Sequence, residues 1–203
     1  QETVIRNAID RVRLAHDAAK GEKLYVAFSG GKDSTVLYDV VKKAAEKDKT
    51  PISEYCDLVY NVTGVDPPEL VYFMRRNYPE LQWSMYKKSM WRLIEAKGVP
   101  TRIHRFCCAE LKERGGMGRM CCTGVRWAES VRRAKTRGAF ENSPSNFKKK
   151  ILLNDNDEAR LMFESCVPKQ TRICNPIIDF TDANVWDYIR GNKLPYCELY
   201  DQG

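Results

Sequence analysis

The feature that most constrains the fold of this chain is a short apolar run that leads through two glycines directly into a helical stretch. Residues 24–28 read LYVAF, residues 29–35 read SGGKDST, and residues 36–47 read VLYDVVKKAAEK. The apolar run predicts a short buried strand, and the residues after the turn predict a helix. A strand, a glycine-rich turn and a helix in immediate succession predict a phosphate-binding turn in an α/β protein.

The residues of the turn themselves support phosphate binding. Gly30 and Gly31 have no side chains, so their backbone N–H groups can approach phosphate oxygens closely. The start of the following helix adds further N–H donors and a positive dipole. Ser29 and Ser34 offer hydroxyl groups, and Lys32 offers a positive charge. The turn lacks the spacing of the fingerprints G-x-x-x-x-G-K-[ST] and G-x-G-x-x-G, so neither of those nucleotide-binding classes is indicated.

The rest of the chain alternates strand patterns with helix patterns. Further strands are predicted at residues 57–62, 81–86 and 118–126, and helices at residues 3–20, 68–77, 89–98, 127–135 and 181–190. This alternation predicts an α/β fold: a doubly wound, mostly parallel sheet with helices on both faces, similar to a Rossmann fold. Residues 137–157 lack periodicity and are predicted to form a mobile basic loop within a single domain of residues 1–203.

Length and charge narrow the classes of partner. The chain has 203 residues and a net charge of +7, which fits one globular domain with a basic surface. No apolar run approaches the roughly 18 residues of a membrane helix, so no membrane partner is expected. The basic balance favours nucleotides or nucleic acid. Three interpretations stay open for the basic residues of 126–150. They form a solvated surface, or Arg126 and Arg133 bind phosphate or sulfate oxygens, or the cluster contacts a nucleic-acid backbone.

The eight cysteines are predicted to be reduced in a cytoplasmic protein. A chain of this size needs no disulfides for its stability, no signal peptide is visible, and no Cys-x-x-Cys occurs. Cys107 and Cys108 follow His104 and Arg105, and three interpretations stay open for this pair: iron–sulfur ligands, zinc ligands together with His104, or buried packing residues. Cys121 and Cys122 alternate within an apolar strand and are predicted to pack in the core.

Several segments, taken together, resemble one enzyme family. Residues 29–34 resemble the pyrophosphate-binding loop of the adenine nucleotide α-hydrolase superfamily. Later segments, in the same order along the chain, resemble those of phosphoadenosine phosphosulfate (PAPS) reductases. They are Val62-Thr63-Gly64 with Pro68-Glu69, Arg105-Phe106-Cys107-Cys108, Thr123-Gly124-Val125-Arg126 with Arg133, Asn175-Pro176-Ile177, and Leu199-Tyr200-Asp201 with Gly203. The chain is identified on these segments as a member of the PAPS reductase family.

The resemblance implies a nucleotide site at the carboxyl edge of the sheet. The expected ligand is an adenine nucleotide: ATP, adenylyl sulfate or PAPS. The expected binding residues are Ser29, Gly30, Gly31, Lys32, Asp33, Ser34, Thr63, Gly64, Arg126 and Arg133, with catalytic roles for Lys32, Asp33 and Arg126. If the substrate is ATP, Asp33 and Asp66 are the expected Mg²⁺ ligands. The alternative role of Asp33 is to cap the helix that follows the loop.

The chain also departs from the family pattern at points that bear on its chemistry. The loop carries Lys32 and Asp33, as in members that cleave ATP. In the reductases, the sequence of this loop is similar to Ser-Phe-Gly-Ala. Iron–sulfur members carry a second cysteine pair after the segment that ends here at Gly203. A [4Fe-4S] cluster on Cys107 and Cys108 would therefore need residues beyond Gly203, and we expect a chain truncated at its C-terminus.

Three functions remain open from the sequence. The resemblance as a whole implies an oxidoreductase of sulfur metabolism that reduces adenylyl sulfate or PAPS to sulfite with a thiol redox partner. The Lys32-Asp33 loop and the basic charge favour an ATP pyrophosphatase that activates a substrate for sulfur transfer, as in nucleic-acid thiolation or DNA phosphorothioation. The third is a non-catalytic module that binds nucleotides or nucleic acid.

Overall fold

The computed structural model describes residues 2–101, 107, 111, 116–142 and 172–202. Its helices are α1 (Glu2–Ala18), α2 (Lys32–Lys47), α3 (Ile52–Tyr55), α4 (Pro68–Asn77), α5 (Met90–Lys97), α6 (Val131–Thr136) and α7 (Asp182–Gly191). Its strands are β1 (Leu24–Ala27), β2 (Cys56–Val62), β3 (Gln82–Met85), β4 (Met120–Cys122), β5 (Phe140–Asn142) and β6 (Arg172–Cys174). Two 3₁₀ turns lie at Trp127–Glu129 and Glu198–Asp201.

The strands form one mostly parallel sheet, which confirms the predicted fold class. Its order is β3-β2-β1-β4-β6-β5, and only β5 runs antiparallel to its neighbour, β6. From β1 the chain moves outward to β2 and β3, then returns to the other side of β1 with β4. This reversal of direction at β1 is the switch point of a doubly wound sheet, where ligands bind beyond the carboxyl ends of the strands.

The alternation of side chains along β1 divides the core between the two faces of the sheet. Leu24 and Val26 belong to a large buried cluster that includes residues of α1, α2 and α7. Tyr25 faces the other side, where it packs with Val59 and Cys121. Because successive strand residues point to opposite faces, this division follows directly from the strand period of two. It also confirms that Cys121 and its neighbour lie on opposite faces of β4.

The amino-terminal helix is part of this core. α1 buries Ala8, Val12 and Ala15 completely, as the helical spacing predicts. Its Arg11 is buried as well: it donates to the carbonyl of Pro176 at 2.9 Å and pairs with Asp179 at 2.8 Å. These contacts tie α1 to the segment that follows β6. Neither α1 nor any other described helix has the length and apolar content needed to cross a bilayer.

Two parts of the sheet differ from the sequence prediction. Residues 140–142 fall in the predicted loop but form β5, and β6 lies where no strand was predicted. Each strand has three residues, which is too short for alternation to be visible in the sequence. They form because they pair with each other and because β6 also pairs with β4. The remaining part of the predicted loop, residues 143–157, lies outside the described residues.

Candidate functional site

The loop between β1 and α2 has a backbone that only glycine suits at Gly30. This residue has a φ of +74°, in the left-handed region. A Cβ atom there would lie 2.9 Å from Leu70 Cδ1 and from Met74 Cγ and Sδ on α4. Gly31 is the N-cap of α2, and no side chain caps the helix. The alternative role of Asp33 as the cap is therefore wrong, because Asp33 lies inside the first turn of α2.

The two serines shape the loop from within. The Ser34 hydroxyl donates to the carbonyl of Gly31 at 2.8 Å, and the Ser29 hydroxyl donates to Ser34 Oγ at 3.2 Å. The same carbonyl of Gly31 accepts the backbone N–H of Thr35 at 3.0 Å. These bonds hold residues 29–34 as a closed turn at the start of α2. The N–H groups of the first helical turn have no intrahelical acceptors, which is the arrangement that binds anions at a helix start.

Lys32 stands at the first position of α2 and makes two contacts with the carboxy-terminal part of the chain. Its backbone N–H donates to the hydroxyl oxygen of Tyr200 at 3.2 Å. Its ammonium nitrogen lies 3.7 Å from Asp182 Oδ1 and 5.6 Å from the centre of the Tyr200 ring. The side chain is one-fifth exposed, so the charge lies close to the loop surface.

Arg126 is the most deeply buried charged group of the site, with 1% of its surface exposed. Its Nε lies 2.9 Å from Asp33 Oδ1 in an ion pair that is not aligned as a hydrogen bond. Its Nη2 donates to Asp182 Oδ1 at 2.8 Å, and its Nη1 donates to the carbonyl of Phe180 at 3.2 Å. The guanidinium thus joins the segment after β4 to the starts of α2 and α7. The hydrogen bond and the charge of Arg126 lower the pKa of Asp182 below its ordinary value.

The segment after β4 approaches the phosphate loop closely at Gly124. A Cβ atom at this position would lie 3.2 Å from the backbone carbon of Asp33. Behind it, Thr123 donates to Asn175 Oδ1 at 2.5 Å, and the Asn175 amide donates to Glu141 at 2.9 Å. Asn175 is fully buried, so these bonds satisfy polar atoms that would otherwise be costly. The network ties the carboxyl end of β4 to β5 and to the residue that follows β6.

The loop after β2 is organised around Asp66. The hydroxyl groups of Tyr60 and Thr63 both donate to Asp66 Oδ2, and the N–H of Val65 donates to Thr63 Oγ1 at 3.2 Å. Gly64, at a φ of +76°, turns the chain between them and is exposed. Thr63 and Gly64 therefore stand at the carboxyl edge of β2, beside the strand that leads into the phosphate loop. Asp66 shapes this loop by accepting hydrogen bonds from both hydroxyl groups.

The described cysteines fall into two groups. Cys107 is partly exposed, whereas Cys56, Cys121, Cys122, Cys174 and Cys197 are buried, and all six are free thiols. Burial raises the pKa of Cys121 to about 12, and a hydrogen bond with Cys174 together with burial raises that of Cys122 well above its ordinary value. Cys121 and Cys122 are therefore neutral core thiols, as predicted. Cys108 and the zinc alternative on His104 lie outside the described residues.

The two magnesium candidates differ in how well they suit a metal. Within the described ranges, no three His, Cys, Asp or Glu side chains lie together as a metal site. Mg²⁺ that travels with a nucleotide needs only one or two carboxylates beside phosphates and water. Asp66 suits that role, since its carboxylate is fixed by two O–H donors. Asp33 does not suit it in this arrangement, because Arg126 lies against Oδ1.

Arg133 lies on α6 and pairs there with Glu129 of the preceding 3₁₀ turn. Its side chain is 41% exposed, so this is a surface pair of small energetic worth. The lysines at 148–150, the other part of the basic cluster, lie outside the described residues. The sequence predicted that Arg126 and Arg133 together bind an anion. In the structure Arg133 pairs with Glu129, whereas Arg126 pairs with Asp33 and Asp182.

Comparison with known proteins decides the family. Residues 23–203 match the phosphoadenosine phosphosulfate reductase domain. The chain belongs to the PAPS reductase family. It is 28% identical over 210 residues to an uncharacterized protein of Methanocaldococcus jannaschii, covering 98% of this chain and 37% of the relative. It is 25% identical over 200 residues to the adenosine 5′-phosphosulfate reductase of Shouchella clausii, covering 97% of this chain and 73% of the relative. The PAPS reductase-like chain thus spans little more than a third of the first relative.

Solved structures of two enzymes share the fold of this PAPS reductase-family chain. The FMN adenylyltransferase of Candida glabrata, in complex with FMN and the ATP analog AMPCPP, matches with a TM-score of 0.57 at 16% identity, covering 97% of this chain and 60% of that one. The U34-tRNA thiolase NcsA of Methanococcus maripaludis, with its [4Fe-4S] cluster, matches with a TM-score of 0.55 at 16% identity, covering 97% and 66%. At this identity the likeness extends to the fold alone.

Three residues of the site in this PAPS reductase-family member escaped the sequence analysis. Asp182 was placed only within the helix predicted at residues 181–190, Tyr200 only as part of a C-terminal segment, and Asn175 only as part of another. Thr181 is the actual cap of α7: it accepts from the N–H of Asn184. An available signal was the position of Asp182 immediately after that cap, since acidic side chains are favoured in the first turn of a helix. No local pattern could have placed Tyr200 against Lys32, 168 residues away.

Proposed function

We propose that this chain is the nucleotide-binding domain of a PAPS reductase-family enzyme that acts on an adenine nucleotide at the carboxyl edge of β1, β2 and β4. The supporting observation is the start of α2: a helix that begins at an uncapped glycine, preceded by a left-handed glycine and followed at once by Lys32. N–H donors without intrahelical acceptors, a helix dipole and a cation converge there, which is the chemistry that binds phosphate or sulfate. The adenosine end lies toward Thr63 and Gly64 in this proposal.

The residues of the loop have separate roles in the proposed reaction. Gly30 and Gly31 bring backbone N–H groups within reach of the anionic group beyond the α-phosphate. Lys32 neutralises the negative charge that develops when the bond between the α-phosphate and the anionic group beyond it breaks. Arg126 is a positioning residue, because its guanidinium holds Asp33 and Asp182 in place. Its burial keeps it from direct contact with a nucleotide while these two pairs last.

The first candidate reaction is reduction of adenylyl sulfate or PAPS to sulfite. A thiolate attacks the sulfur, the bond from sulfur to the phosphate oxygen breaks, and the nucleotide leaves with its α-phosphate. A second thiol then attacks the sulfur of the first thiol, the bond between that sulfur and the sulfite breaks, and sulfite leaves as a disulfide forms, so the two thiols supply two electrons. The match to an adenosine 5′-phosphosulfate reductase over 97% of the chain supports this candidate.

The second candidate is cleavage of ATP between its α- and β-phosphates, with transfer of the adenylyl group to a substrate that later receives sulfur. The pair Lys32-Asp33 favours it, because family members that cleave ATP resemble this chain at those two positions. Lys32 also suits a leaving pyrophosphate, which carries more negative charge than the AMP that leaves in the reductase reaction. Mg²⁺, when bound, would neutralise the triphosphate, with Asp66 as its better-placed ligand. Nucleic acid is the acceptor class that the net charge of +7 favours.

Product analysis separates these candidates. The protein is incubated separately with ATP, adenylyl sulfate and PAPS. An ATP pyrophosphatase is expected to release AMP and pyrophosphate from ATP. A reductase is expected to release sulfite from adenylyl sulfate or PAPS when a thiol is added as the reductant. Lys32→Ala should lower turnover by on the order of 100- to 1,000-fold, because one charged donor to the transition state is lost. Lys42→Ala is the matched control, since Lys42 lies on the same helix over the Tyr38 ring and away from the loop. Nucleotide binding without any product would support the non-catalytic module instead, and unchanged turnover in Lys32→Ala would refute the role of Lys32.

We also propose a [4Fe-4S] cluster with Cys107 and Cys108 among its ligands, in a reducing, cytoplasmic setting. Cys107 fits a ligand better than the other described cysteines, because it alone among them is not buried. The complete protein, purified without oxygen, should be brown and contain iron and sulfide in equal amounts. Cys107→Ser with Cys108→Ser should abolish both, while Cys56→Ser, at a buried thiol, should retain them. Iron retained in the double variant would overturn this assignment.

A further inference from the structure

The groups that the phosphate loop offers to an anion are already engaged by two side chains of the same protein. The backbone N–H of Lys32 donates to Tyr200 Oη at 3.2 Å, and the Lys32 ammonium lies 3.7 Å from Asp182 Oδ1. A phenolic oxygen and a carboxylate thus take the two positions that a phosphate oxygen and its negative charge would take. Neither residue belongs to the loop itself: Tyr200 comes from the last 3₁₀ turn and Asp182 from the start of α7.

We infer that Tyr200 and Asp182 are internal occupants of the phosphate site, which the anionic end of a nucleotide must displace, so that binding releases the carboxy-terminal turn at Glu198–Asp201. This inference rests on the proposed function, because it assumes that the start of α2 receives phosphate or sulfate. The expected ligand class is a pyrophosphate-like or sulfo-phosphate anion. A ligand without this anionic end has no group to compete with the two side chains.

Displacement follows from the space available around Gly31. A Cβ atom on Gly31 would lie 3.2 Å from Tyr200 Oη, so the hydroxyl already fills the surface over the loop backbone. A phosphate oxygen that accepts the same Lys32 N–H cannot occupy the position of that hydroxyl at the same time. Direct access to the N–H therefore requires Tyr200 to move.

The movement of Tyr200 has a nearby reporter. The Trp186 ring lies 5.4 Å from the Tyr200 ring and 5.4 Å from the Tyr196 ring, in edge contact with both. Trp186 belongs to α7, and both tyrosines lie after that helix. When Tyr200 leaves the loop, Trp186 loses one of these aromatic neighbours, and its fluorescence should change.

Asp182 competes by charge and not by space. Its side chain is 64% exposed, and its Oδ1 serves both Lys32 and Arg126. An incoming anion can pair with the Lys32 ammonium in place of Asp182. Arg126 still holds Asp182 through their 2.8 Å hydrogen bond. The exchange then costs the protein only one exposed ion pair, whose worth is small in water.

The test measures binding of inorganic pyrophosphate, and of ATP in parallel, by calorimetry. Tyr200→Phe should bind pyrophosphate roughly 2- to 10-fold more tightly, because the empty site loses its internal hydrogen bond. Asp182→Asn should bind it roughly 1.5- to 5-fold more tightly, because Lys32 loses a competing charge. The matched controls are Tyr196→Phe and Asp201→Asn: these two residues bond each other at 3.2 Å in the same segment. Both controls should bind as the unaltered protein does.

Fluorescence gives a second, independent reading. Pyrophosphate should change the tryptophan emission of the unaltered protein, and Trp186→Phe should lose that change while it still binds. Equal or weaker binding by Tyr200→Phe, or an emission change that survives in Trp186→Phe, would overturn the displacement. Absence of binding by both anions in every variant would overturn the proposed phosphate site itself, which keeps the two failures distinct.

Discussion

Gly30→Ala is expected to weaken adenine nucleotide binding by on the order of 100-fold, because displacement of the phosphate loop moves its donors out of reach. The variant should also lower the free energy of unfolding by about 2–4 kcal/mol. Two causes combine. The backbone at a φ of +74° suits no side chain well, and the new Cβ would lie 2.9 Å from Leu70 and Met74 on α4. Either the loop moves away from α4 and carries the first turn of α2 with it, or the side chains of Leu70 and Met74 shift within their packing.

Gly21→Ala separates backbone strain from steric collision. Gly21 has a φ of +88°, but a Cβ there meets nothing within 4 Å. This control should lose only about 1–2 kcal/mol of stability and should bind nucleotide as the unaltered protein does. Chemical denaturation and calorimetry on the two variants provide both numbers. A folded Gly30→Ala protein with full nucleotide affinity would exclude the loop as the phosphate site.

Arg126→Met is expected to lower the free energy of unfolding by about 3 kcal/mol, because it leaves the carboxylates of Asp33 and Asp182 without their shared cation. The effect on Asp33 is the larger one, since that side chain is 24% exposed against 64% for Asp182. Nucleotide affinity should fall as well, because two like charges then stand at the loop. The surface variant Arg13→Met, which removes a pair to Asp48 at 43% exposure, is the control and should cost at most about 1 kcal/mol.

The same variant has a pH signature at Asp182. In the folded protein Arg126 lowers the pKa of this carboxyl. A lowered folded pKa contributes stability above the unfolded pKa and loses it as the pH falls through the folded pKa. Arg126→Met should therefore raise the pKa of Asp182 in an NMR titration and flatten the acid limb of the stability curve. An unmoved Asp182 titration would show that Arg126 does not hold this carboxylate in solution.

The loop was predictable because its signal is local. Gly30 and Gly31 between an apolar run and an amphipathic run allow few structures. The strand Leu24–Ala27 and the helix Lys32–Lys47 follow that order, although the helix begins four residues before the predicted start at residue 36. The same holds for helix α4, which begins at the Pro67-Pro68 pair, and for α5, which ends at Gly98 with a φ of +79°. In each case the residues that define the boundary lie within one turn of it.

The partners of the charged side chains were not predictable in this way. The sequence predicted that Arg126 binds an anionic ligand. In the structure it pairs with Asp33 and Asp182, which lie 93 and 56 positions away in the sequence. A cation next to a glycine-rich segment looks the same in the sequence whether it faces a ligand or a carboxylate of the protein. Burial decides between them, and burial depends on how the segments after β4 and β6 pack against α2.

What the amino-acid sequence determined by itself was the alternation of strands and helices, the phosphate loop and the family, because these depend on residues that are near neighbours in the chain. What only the tertiary structure decided was the state of the loop: Tyr200 bonded to the Lys32 N–H and Asp182 beside the Lys32 ammonium. The tertiary structure also decided the three-residue strands β5 and β6, since each forms only by pairing with a distant segment. Such contacts form when the sheet brings remote strand ends to one edge, and no local pattern of residue types encodes that meeting.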